Sequence, residues 1–557
     1  MMKRKNKKAG PVPVREISIA ELNAILDRAK SGSLTEEDHV ALAAAVATLA
    51  CLTREIQAKN ASILRMRKIL FGSSTEKTRD VLEKSGKEPG VAPAAAGDAA
   101  RKDSEKAGQA KPAKRKGHGR NGSAAYTGAK RIKVPHAELK HGDRCPDCGK
   151  GKVYDQDRPA QLVRVVGMAP INADVYECDR LRCNGCGKVF TADAPPGVGA
   201  RKYDESVSAM VALFKYGCGV PFHRLEKFQA GLGIPLPAGT QWELIEESLE
   251  AVEPACEELI RQGAQGRLVH NDDTTMKILG YDVKARAEAM EEERKRTGTF
   301  TTGIISRAEG HDVALFFTGR NHAGENLAKV LKQREEGLSA PIQMCDALSR
   351  NAPGEFKTIL ANCLAHARRR FVDVVENFPE ECRRVLETLC EVYKNDETAR
   401  ERGMPPEDRL RFHQERSGPL MRDLDEWLRI QIEECNVEPN SGVGEAIGYM
   451  RGHWEALTLF LRVPGAPLDN NICERALKKA ILHRKNALFY KTENGARVGD
   501  IFMSLIHTAE LNRENPFDYL VALQRNPDKV KSRPADWMPW NYRRALGANP
   551  SIPSPPP

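Results

Sequence analysis

Three acidic residues stand in settings where acids do chemistry. Asp272 lies within Arg267-Leu-Val-His-Asn-Asp272-Asp-Thr-Thr-Met-Lys-Ile-Leu279, and Asp346 ends Pro341-Ile-Gln-Met-Cys-Asp346. Glu474 lies within Pro467-Leu-Asp-Asn-Asn-Ile-Cys-Glu474-Arg-Ala-Leu-Lys-Lys-Ala-Ile-Leu-His-Arg-Lys-Asn486. Short apolar stretches flank the first two, as in β-strands. Asp469, Asn470 and Asn471 are helix-starting residue types, and 476–482 has helical apolar spacing. Glu474 therefore falls in a first helical turn, with Arg475, Lys478, Lys479, Arg484 and Lys485 behind it. A carboxylate in that setting has two uses. It can close an Asn471-x-x-Glu474 capping box, or it can hold a metal ion beside a phosphate backbone. Asp273, next to Asp272 on a strand, faces the opposite way and is expected to be a neighbour rather than a ligand.

The cysteines offer a second chemistry. Cys145-Pro-Asp-Cys148-Gly-Lys and Cys183-Asn-Gly-Cys186-Gly-Lys repeat one pattern. Two CxxC turns supply the four thiolates that tetrahedral zinc takes, and a glycine after each pair suits a turn that aims N–H groups at sulfur. One structural zinc on Cys145, Cys148, Cys183 and Cys186 is expected, with Cys178 as a fifth candidate. Cys363 and His366 share a helix face in Cys363-Leu-Ala-His366-Ala-Arg-Arg-Arg-Phe. Two ligands do not make a zinc site, so a packed pair supporting other ligands is the expected role.

The elements that position these residues follow from periodicity. Strands are predicted around Asp272, at 299–305, at 313–318 and at 341–346, with a helix at 325–335 before the last. Three hairpin-like strands, a helix and a further strand match the opening of the ribonuclease H fold, in which the acids of the first and fourth strands sit side by side. The chain is then expected to stay helical, with a helical insertion at about 378–460, giving a core over 263–510 and a C-terminal segment over 511–557. Residues 205–262 read as helices. Within them 221–229 and 240–246 form either a helix-turn-helix or an ordinary helical hairpin.

Upstream, residues 15–80 read as helix, within a coiled-coil or leucine-zipper region over 1–80. Leu42, Leu49, Ile56, Ile63 and Leu70 recur every seventh position, with Ala45, Leu52 and Met66 between them, although Lys59 interrupts the series. That repeat argues for a coiled coil and self-association, against a long amphipathic helix packed on its own protein. Ser33-Leu-Thr-Glu36 reads as its capping box. Residues 81–130, rich in Ala, Gly, Lys, Pro and Ser, read as a disordered basic linker, either a spacer or a grip on phosphates through 111–120. Residues 131–198 hold the knuckles and strand-like runs at 161–166 and 173–177. The expected fold class is therefore multidomain α/β: a coiled-coil helix, a small zinc-binding β domain, then a ribonuclease H-like core with an all-helical insertion.

Composition narrows the partners. A net charge of +10 is concentrated in basic runs at 1–8 and 102–133, which favours nucleic acid over a membrane. No apolar run reaches the roughly 18–20 residues of a membrane span, and no apolar segment follows the basic N-terminus as in a signal peptide. A cytoplasmic protein is expected, so the 14 cysteines are read as thiols or metal ligands rather than disulfides.

Motifs spread over nearly the whole chain resemble the transposases of insertion-sequence family sixty-six. Arg65-Met-Arg-Lys-Ile-Leu-Phe-Gly-Ser-Ser-Thr-Glu-Lys77 is similar to the end of that family's leucine-zipper region, and Lys116-Gly-His-Gly-Arg-Asn with the knuckles to its zinc-binding domain. Val269-His-Asn-Asp-Asp-Thr resembles its His-x-Asp-Glu-Thr, with Asp273 in place of Glu. Asp469-Asn-Asn-x-x-Glu-Arg, Arg484-Lys-Asn, Leu505-Ile-His-Thr-Ala-Glu-Leu-Asn, Pro516-Phe-Asp-Tyr-Leu and Met538-Pro-Trp-Asn541 are further matches. Cys363 and His366 resemble the Cys-x-x-His that follows the second acid of many DDE transposases. Asp346 precedes Ala-Leu-Ser-Arg-Asn where the family usually has Gly-Tyr.

The resemblance implies a DDE transposase performing magnesium-dependent DNA cleavage and strand transfer. Asp272, Asp346 and Glu474 would hold two Mg²⁺ (or Mn²⁺) ions per site, and Arg475, Lys478, Lys479, Arg484 and Lys485 would position the DNA backbone. Double-stranded DNA at the element's ends and target, a second copy of the chain and companion proteins of the same element are the implied partners, with a nucleoid-associated location. Two rival readings remain open here: a catalytically inert zinc-ribbon DNA-binding accessory protein, and a structure-specific nuclease of the same fold.

Overall fold

The computed structural model describes residues 137–154, 169–182, 189–193, 195–196, 201–280 and 298–547, with residue 78 and short stretches between 24 and 42. The heptad positions from 45 to 70, the linker at 81–130 and Cys183 and Cys186 lie outside the described residues. The chain divides into two compact units, one of residues 91–170 and one of residues 1–90 with 171–557.

In the smaller unit the first knuckle is a tight turn. Cys145 N–H donates to Gly151 O (2.8 Å) and Gly149 N–H to Cys145 O (2.9 Å). Gly149 takes φ +64°, a left-handed conformation that glycine adopts without strain. Backbone N–H groups of Gly151 and Lys150 lower the Cys148 thiol below its ordinary range.

In the larger unit a reciprocal cap forms between Thr35 and Asp38: Asp38 N–H donates to Thr35 Oγ1 and Thr35 N–H to Asp38 Oδ2. The expected Ser33–Glu36 box rests on Ser33, which lies outside the described residues. Arg28 bridges to the same Asp38 carboxylate at 2.6 Å. A two-stranded ribbon pairs β1 (Arg180–Arg182) with β2 (Val189–Thr191). The strand expected at 173–177 is absent, because residues 172–179 make no ladder.

Helices α1 (Glu205–Ala212), α2 (Phe222–Gly231), α3 (Ala238–Glu247) and α4 (Leu249–Ala264) follow. Gln241, fully buried, donates to the carbonyls of Phe222 and Leu236 and so pins α3 on α2. Next come β3 (Leu268–Thr275), β4 (Phe300–Ala308), β5 (His311–Gly319), α5 (Ala323–Leu331), β6 (Ile342–Cys345) and β7 (Ile359–Asn362). The sheet order is β5-β4-β3-β6-β7. β4 runs antiparallel to both β3 and β5, while β6 runs parallel to β3 and β7 parallel to β6. Strand β7 corrects the expectation of unbroken helix after Asp346. Its residues Ile359-Leu-Ala-Asn362 form a short run that periodicity cannot separate from helix, and the parallel ladder with β6 decides it.

Helix α6 (Leu364–Val374) leads into the long helices α7 (Pro379–Glu401) and α8 (Pro406–Glu433), then α9 (Gly442–Gly452) and the short α10 (Trp454–Leu457). These pack in their own apolar cluster around Phe371, Leu386, Leu389, Leu428 and Ile447. The chain returns through α11 (Asn471–Ala487) and α12 (Glu493–Leu511), and ends with α13 (Pro516–Arg525), α14 (Pro527–Ser532) and α15 (Tyr542–Ala545). Among the described residues no helix is long and apolar enough to cross a membrane.

Edge strand β5 is closed by α12. Asp500, Ser504 and Thr508, at helical i, i+4 and i+8, accept from the N–H groups of Thr318, Phe316 and Ala314, every second residue of the strand. Unpaired edge N–H groups are a template for aggregation. Here one helix face satisfies three of them.

Candidate active site

Strand register brings two acids level. His270 of β3 pairs with Met344 of β6, so two residues further along each parallel strand Asp272 stands beside Asp346. Cys345 pairs with Asn362 of β7, which in turn puts Cys363 beside Asp346. Because side chains alternate along a strand, Asp272 and His270 share one face of the sheet while Asn271 and Asp273 face the other.

Helix α11 lies on the Asp272 face. Cys473 Sγ–H donates to Gly303 O at 3.3 Å, and Gly303 is the β4 partner of Asp272. A Cβ at Gly303 would come within 3.1 Å of the Leu477 side chain, so the glycine permits this close approach of helix to sheet. One turn of α11 then carries Glu474 to the end of the strands.

Asn470, fully buried at the helix start, joins three elements. Its Nδ2 donates to Asn271 O (3.2 Å), its Oδ1 lies 3.0 Å from His270 Nδ1, and its backbone N–H donates to Cys363 Sγ (3.3 Å). Burial pulls the His270 imidazole down to about 4, so it is neutral near pH 7. With the amide nitrogen committed to Asn271 O, Nδ1 of His270 is assigned the proton, donated to Asn470 Oδ1. The capping-box arrangement is not realised: Asn470 is the N-cap, and Asn471 turns its amide to Asp469 Oδ2 at 2.7 Å. That leaves the Glu474 carboxylate directed at the acids.

His366, on the first turn of α6, stands between them. Its Nδ1 lies 2.6 Å from Asp346 Oδ1 and its Nε2 lies 3.5 Å from Glu474 Oε1. The Asp346 carboxylate, aided by the Cys363 thiol, raises the imidazole to about 10. Asp272 is pushed up to about 7, first by burial and then by the Asp346 charge. The close His366–Asp346 contact is off line for a hydrogen bond. Asp346 Oδ1, His366 Nδ1 and Glu474 Oε1 are all buried without a hydrogen-bond partner. Buried polar atoms left in that state are costly unless something else binds them.

These orphaned oxygens fit a hard divalent cation, which takes carboxylate oxygens and keeps waters in its remaining positions. Cys363, His366 and Glu474 also have ligand atoms within 4.8 Å of one another, a softer set. The Cys363 thiol there is buried and already accepts the Asn470 N–H, so the carboxylates are the better donors.

The opposite face of the sheet holds the acids in place. Asn271, Gln343 and Asn351, all buried, form an amide network. Asn271 Nδ2 donates to Asn351 O (3.0 Å), and Gln343 Nε2 to both Asn271 Oδ1 (2.9 Å) and Asn351 O (2.7 Å). This fixes the turn that follows Asp346. Asp273 accepts from His322 Nδ1 (2.9 Å) and faces Arg350 (3.3 Å) with its side chain 2% exposed, so it anchors α5 and the same turn.

The basic residues of α11 divide. Arg475, Lys478 and Lys485, at i, i+3 and i+10, lie exposed on one helix face. Lys479 pairs with Glu510 at 2.8 Å, and Arg484 donates to the hydroxyls of Thr274 and Thr275 at the end of β3. The latter two tie the helix to its own protein. Cys145 and Cys148 lie together in the first knuckle, while the zinc expectation for Cys183 and Cys186 falls outside the described residues. Cys178 is exposed and free.

Residues 201–498, from α1 through the start of α12, match the family model of the Transposase IS66 family. The chain belongs to this family. Two relatives from Sinorhizobium fredii bear the names uncharacterized protein y4hP and y4jD. The first is 27% identical over 394 residues, 66% of this chain and 68% of its own length. The second is 27% identical over 388 residues, 65% of this chain and 71% of its own. The matched region of this transposase-family chain contains all three acids and both helices that carry His366 and Glu474. Sequence reasoning missed Asn470 as the joint between elements and the Asn271–Gln343–Asn351 network. Their one outward signal is amides standing inside predicted strands and at a helix start.

Proposed function

We propose that the protein is a DNA transposase with a ribonuclease H-like DDE core, cutting at the ends of its insertion sequence and joining the freed ends to target DNA. The observation that carries this reading is the convergence of Asp272, Asp346 and Glu474 around His366, with buried carboxylate oxygens that meet its ring but make no hydrogen bond. The strand order, three antiparallel strands followed by two parallel ones, supports the ribonuclease H-like assignment.

Asp272, Asp346 and Glu474 would hold two Mg²⁺ ions, which when bound supply activation of the attacking hydroxyl and stabilisation of the leaving oxygen. His366 keeps Asp346 and Glu474 facing each other, and Asn470 keeps the Glu474 helix against the Asp272 strand. Arg475, Lys478 and Lys485 hold the DNA backbone along the exposed face of α11. Water first cuts the phosphodiester bond at the element's end, leaving a 3′-OH. That hydroxyl then attacks a target phosphodiester, forming one P–O bond as another breaks. Double-stranded DNA, a second copy of the chain and companion proteins of the same element are the proposed partners.

The test is magnesium-dependent cleavage and strand transfer on duplexes bearing the terminal inverted repeats that flank the gene. Joined product is expected from the unmodified chain and none from Asp272→Asn or Glu474→Gln. Cleavage without joining would favour a nuclease. Binding without either, unchanged in Glu474→Gln, would favour an inert DNA-binding protein.

A further inference from the structure

Helix α6 carries a second residue on the His366 face. Arg370 follows His366 by four positions, one turn and about 6 Å further along the helix axis. Its guanidinium lies over the ring of Tyr449 on α9, 3.9 Å from the ring centre. Tyr449 is half-buried, packs against the apolar cluster of the helical insertion, and is backed by His453 at 4.8 Å between ring centres. Arg370 itself is exposed, and among the described residues no carboxylate lies within ion-pair distance of it. The chain here reads His366-Ala-Arg-Arg-Arg370, and the third arginine is the one that lies over the ring.

A guanidinium stacked on an aromatic face is fixed in orientation, and its N–H groups beyond those near the Tyr449 hydroxyl match the oxygens of a phosphate. The surrounding electrostatics call for such a group. Three carboxylates meet within one turn of Arg370, and a polyanionic strand cannot approach them without compensating charge. Helices α6 and α11 start side by side, since Leu364 N–H donates to Leu468 O at 2.9 Å. Cations therefore leave the acids along two helices: Arg475, Lys478 and Lys485 on α11, and Arg370 on α6.

We propose that Arg370, held on Tyr449 by the helical insertion, binds a backbone phosphate of the DNA strand lying over Asp346 and Glu474. The insertion then shapes the active site by supplying the platform that aims this arginine. The inference rests on the transposase reading for its substrate, and its test separates the two.

The full-length chain is titrated with an inverted-repeat duplex across a range of salt concentrations, with Ca²⁺ replacing Mg²⁺ so that binding is read without cleavage. Loss of one phosphate contact should lower the slope of log K against log salt by about 1 in Arg370→Ala. Arg370→Lys should keep the slope, Tyr449→Phe should behave as the unmodified chain, and Tyr449→Ala should fall between. A set of duplexes with single neutral methylphosphonates near the cut site then locates the contact. One position should weaken the unmodified chain by the same factor as Arg370→Ala, with no further loss when the two are combined.

An unchanged slope in Arg370→Ala, with folding confirmed by its unfolding midpoint, overturns the proposal even if cleavage and joining are observed. A lowered slope with no magnesium-dependent product leaves the phosphate site standing and removes the transposase reading. An unmodified chain that binds no DNA overturns both.

Discussion

Asp272 and Asp500 carry the same electrostatic signature in opposite surroundings. Burial pushes both up to about 7. Asp500, on α12, spends its carboxylate on the Thr318 N–H and hydroxyl, each at 2.6 Å, and closes an edge strand. Asp272 accepts one N–H, from its neighbour Asp273, and then faces Asp346. Near it, Asp346 Oδ1 and Glu474 Oε1 meet the His366 ring but make no hydrogen bond. Burial of an acid therefore does not mark a site in this protein. What separates the two regions is satisfaction: one carboxylate is answered by hydrogen bonds, and the other belongs to a group of three acids that share one imidazole, His366.

The comparison breaks most decisively at the acids. Asp272→Asn or Glu474→Gln should lower cleavage and joining by at least about 100-fold, the scale on which loss of one charge-stabilising group costs an enzyme. Thermal unfolding in the absence of divalent metal should not fall, because one of several repelling charges has gone. A loss of folding stability in Asp272→Asn would place Asp272 in the same class as Asp500.

Asn470→Ala sharpens it at the next level. The substitution removes contacts to His270 and Asn271 but no proposed ligand, so Mn²⁺ binding, followed by electron paramagnetic resonance, should weaken by roughly 10–100-fold, as for other residues that orient metal ligands. Unchanged Mn²⁺ affinity would show that α11 seats itself without this amide.

Asp500→Ala should do the reverse. Stability to denaturant should drop by roughly 1–3 kcal/mol, since the half-buried Thr318 N–H loses its acceptor, while divalent-metal affinity stays the same. The pH dependence has a definite sign. The folded state holds a proton on Asp500 up to about 7, whereas the unfolded carboxyl releases it near 4. Stability is thus greatest below that lower value and declines as pH rises through the window to about 7. Asp500→Asn should remove up to about 1.4 kcal/mol per pH unit of that decline. An unaltered pH profile would contradict the burial of this acid.

The cysteine knuckle shows the opposite shift, a thiol lowered by backbone N–H groups, as a metal-binding thiolate requires. Metal analysis of the full chain should give one zinc, lost in Cys145→Ser. This change should leave the Asp272 region's metal affinity nearly unaltered.

Legibility in the sequence followed the range of the interaction. Strands around Asp272, 299–305 and 313–318 were readable because β-branched and aromatic runs speak for themselves. Strand β7 was not: four residues carry too little pattern, and only pairing with β6 makes Ile359–Asn362 a strand. The helix start at Asp469–Asn471 was plain from residue type, but whether Glu474 would turn back to cap it was not. That depended on His270 and Asn271, about 200 positions earlier in the chain, drawing Asn470 into the sheet. Likewise five cations on α11 looked alike, and only packing showed that Lys479 and Arg484 are engaged by Glu510 and the end of β3.

The sequence by itself determined the residue types that can hold metal and phosphate, the order of the elements carrying them, and the family to which those motifs belong. These depend on local periodicity and on motif spacing. Tertiary structure alone decided that Asp272 stands level with Asp346, that His366 reaches both Asp346 and Glu474, and that Arg370 rests on Tyr449. The reason is physical: register and helix seating are set by side chains that meet across long stretches of chain, and no local pattern encodes which of them will meet.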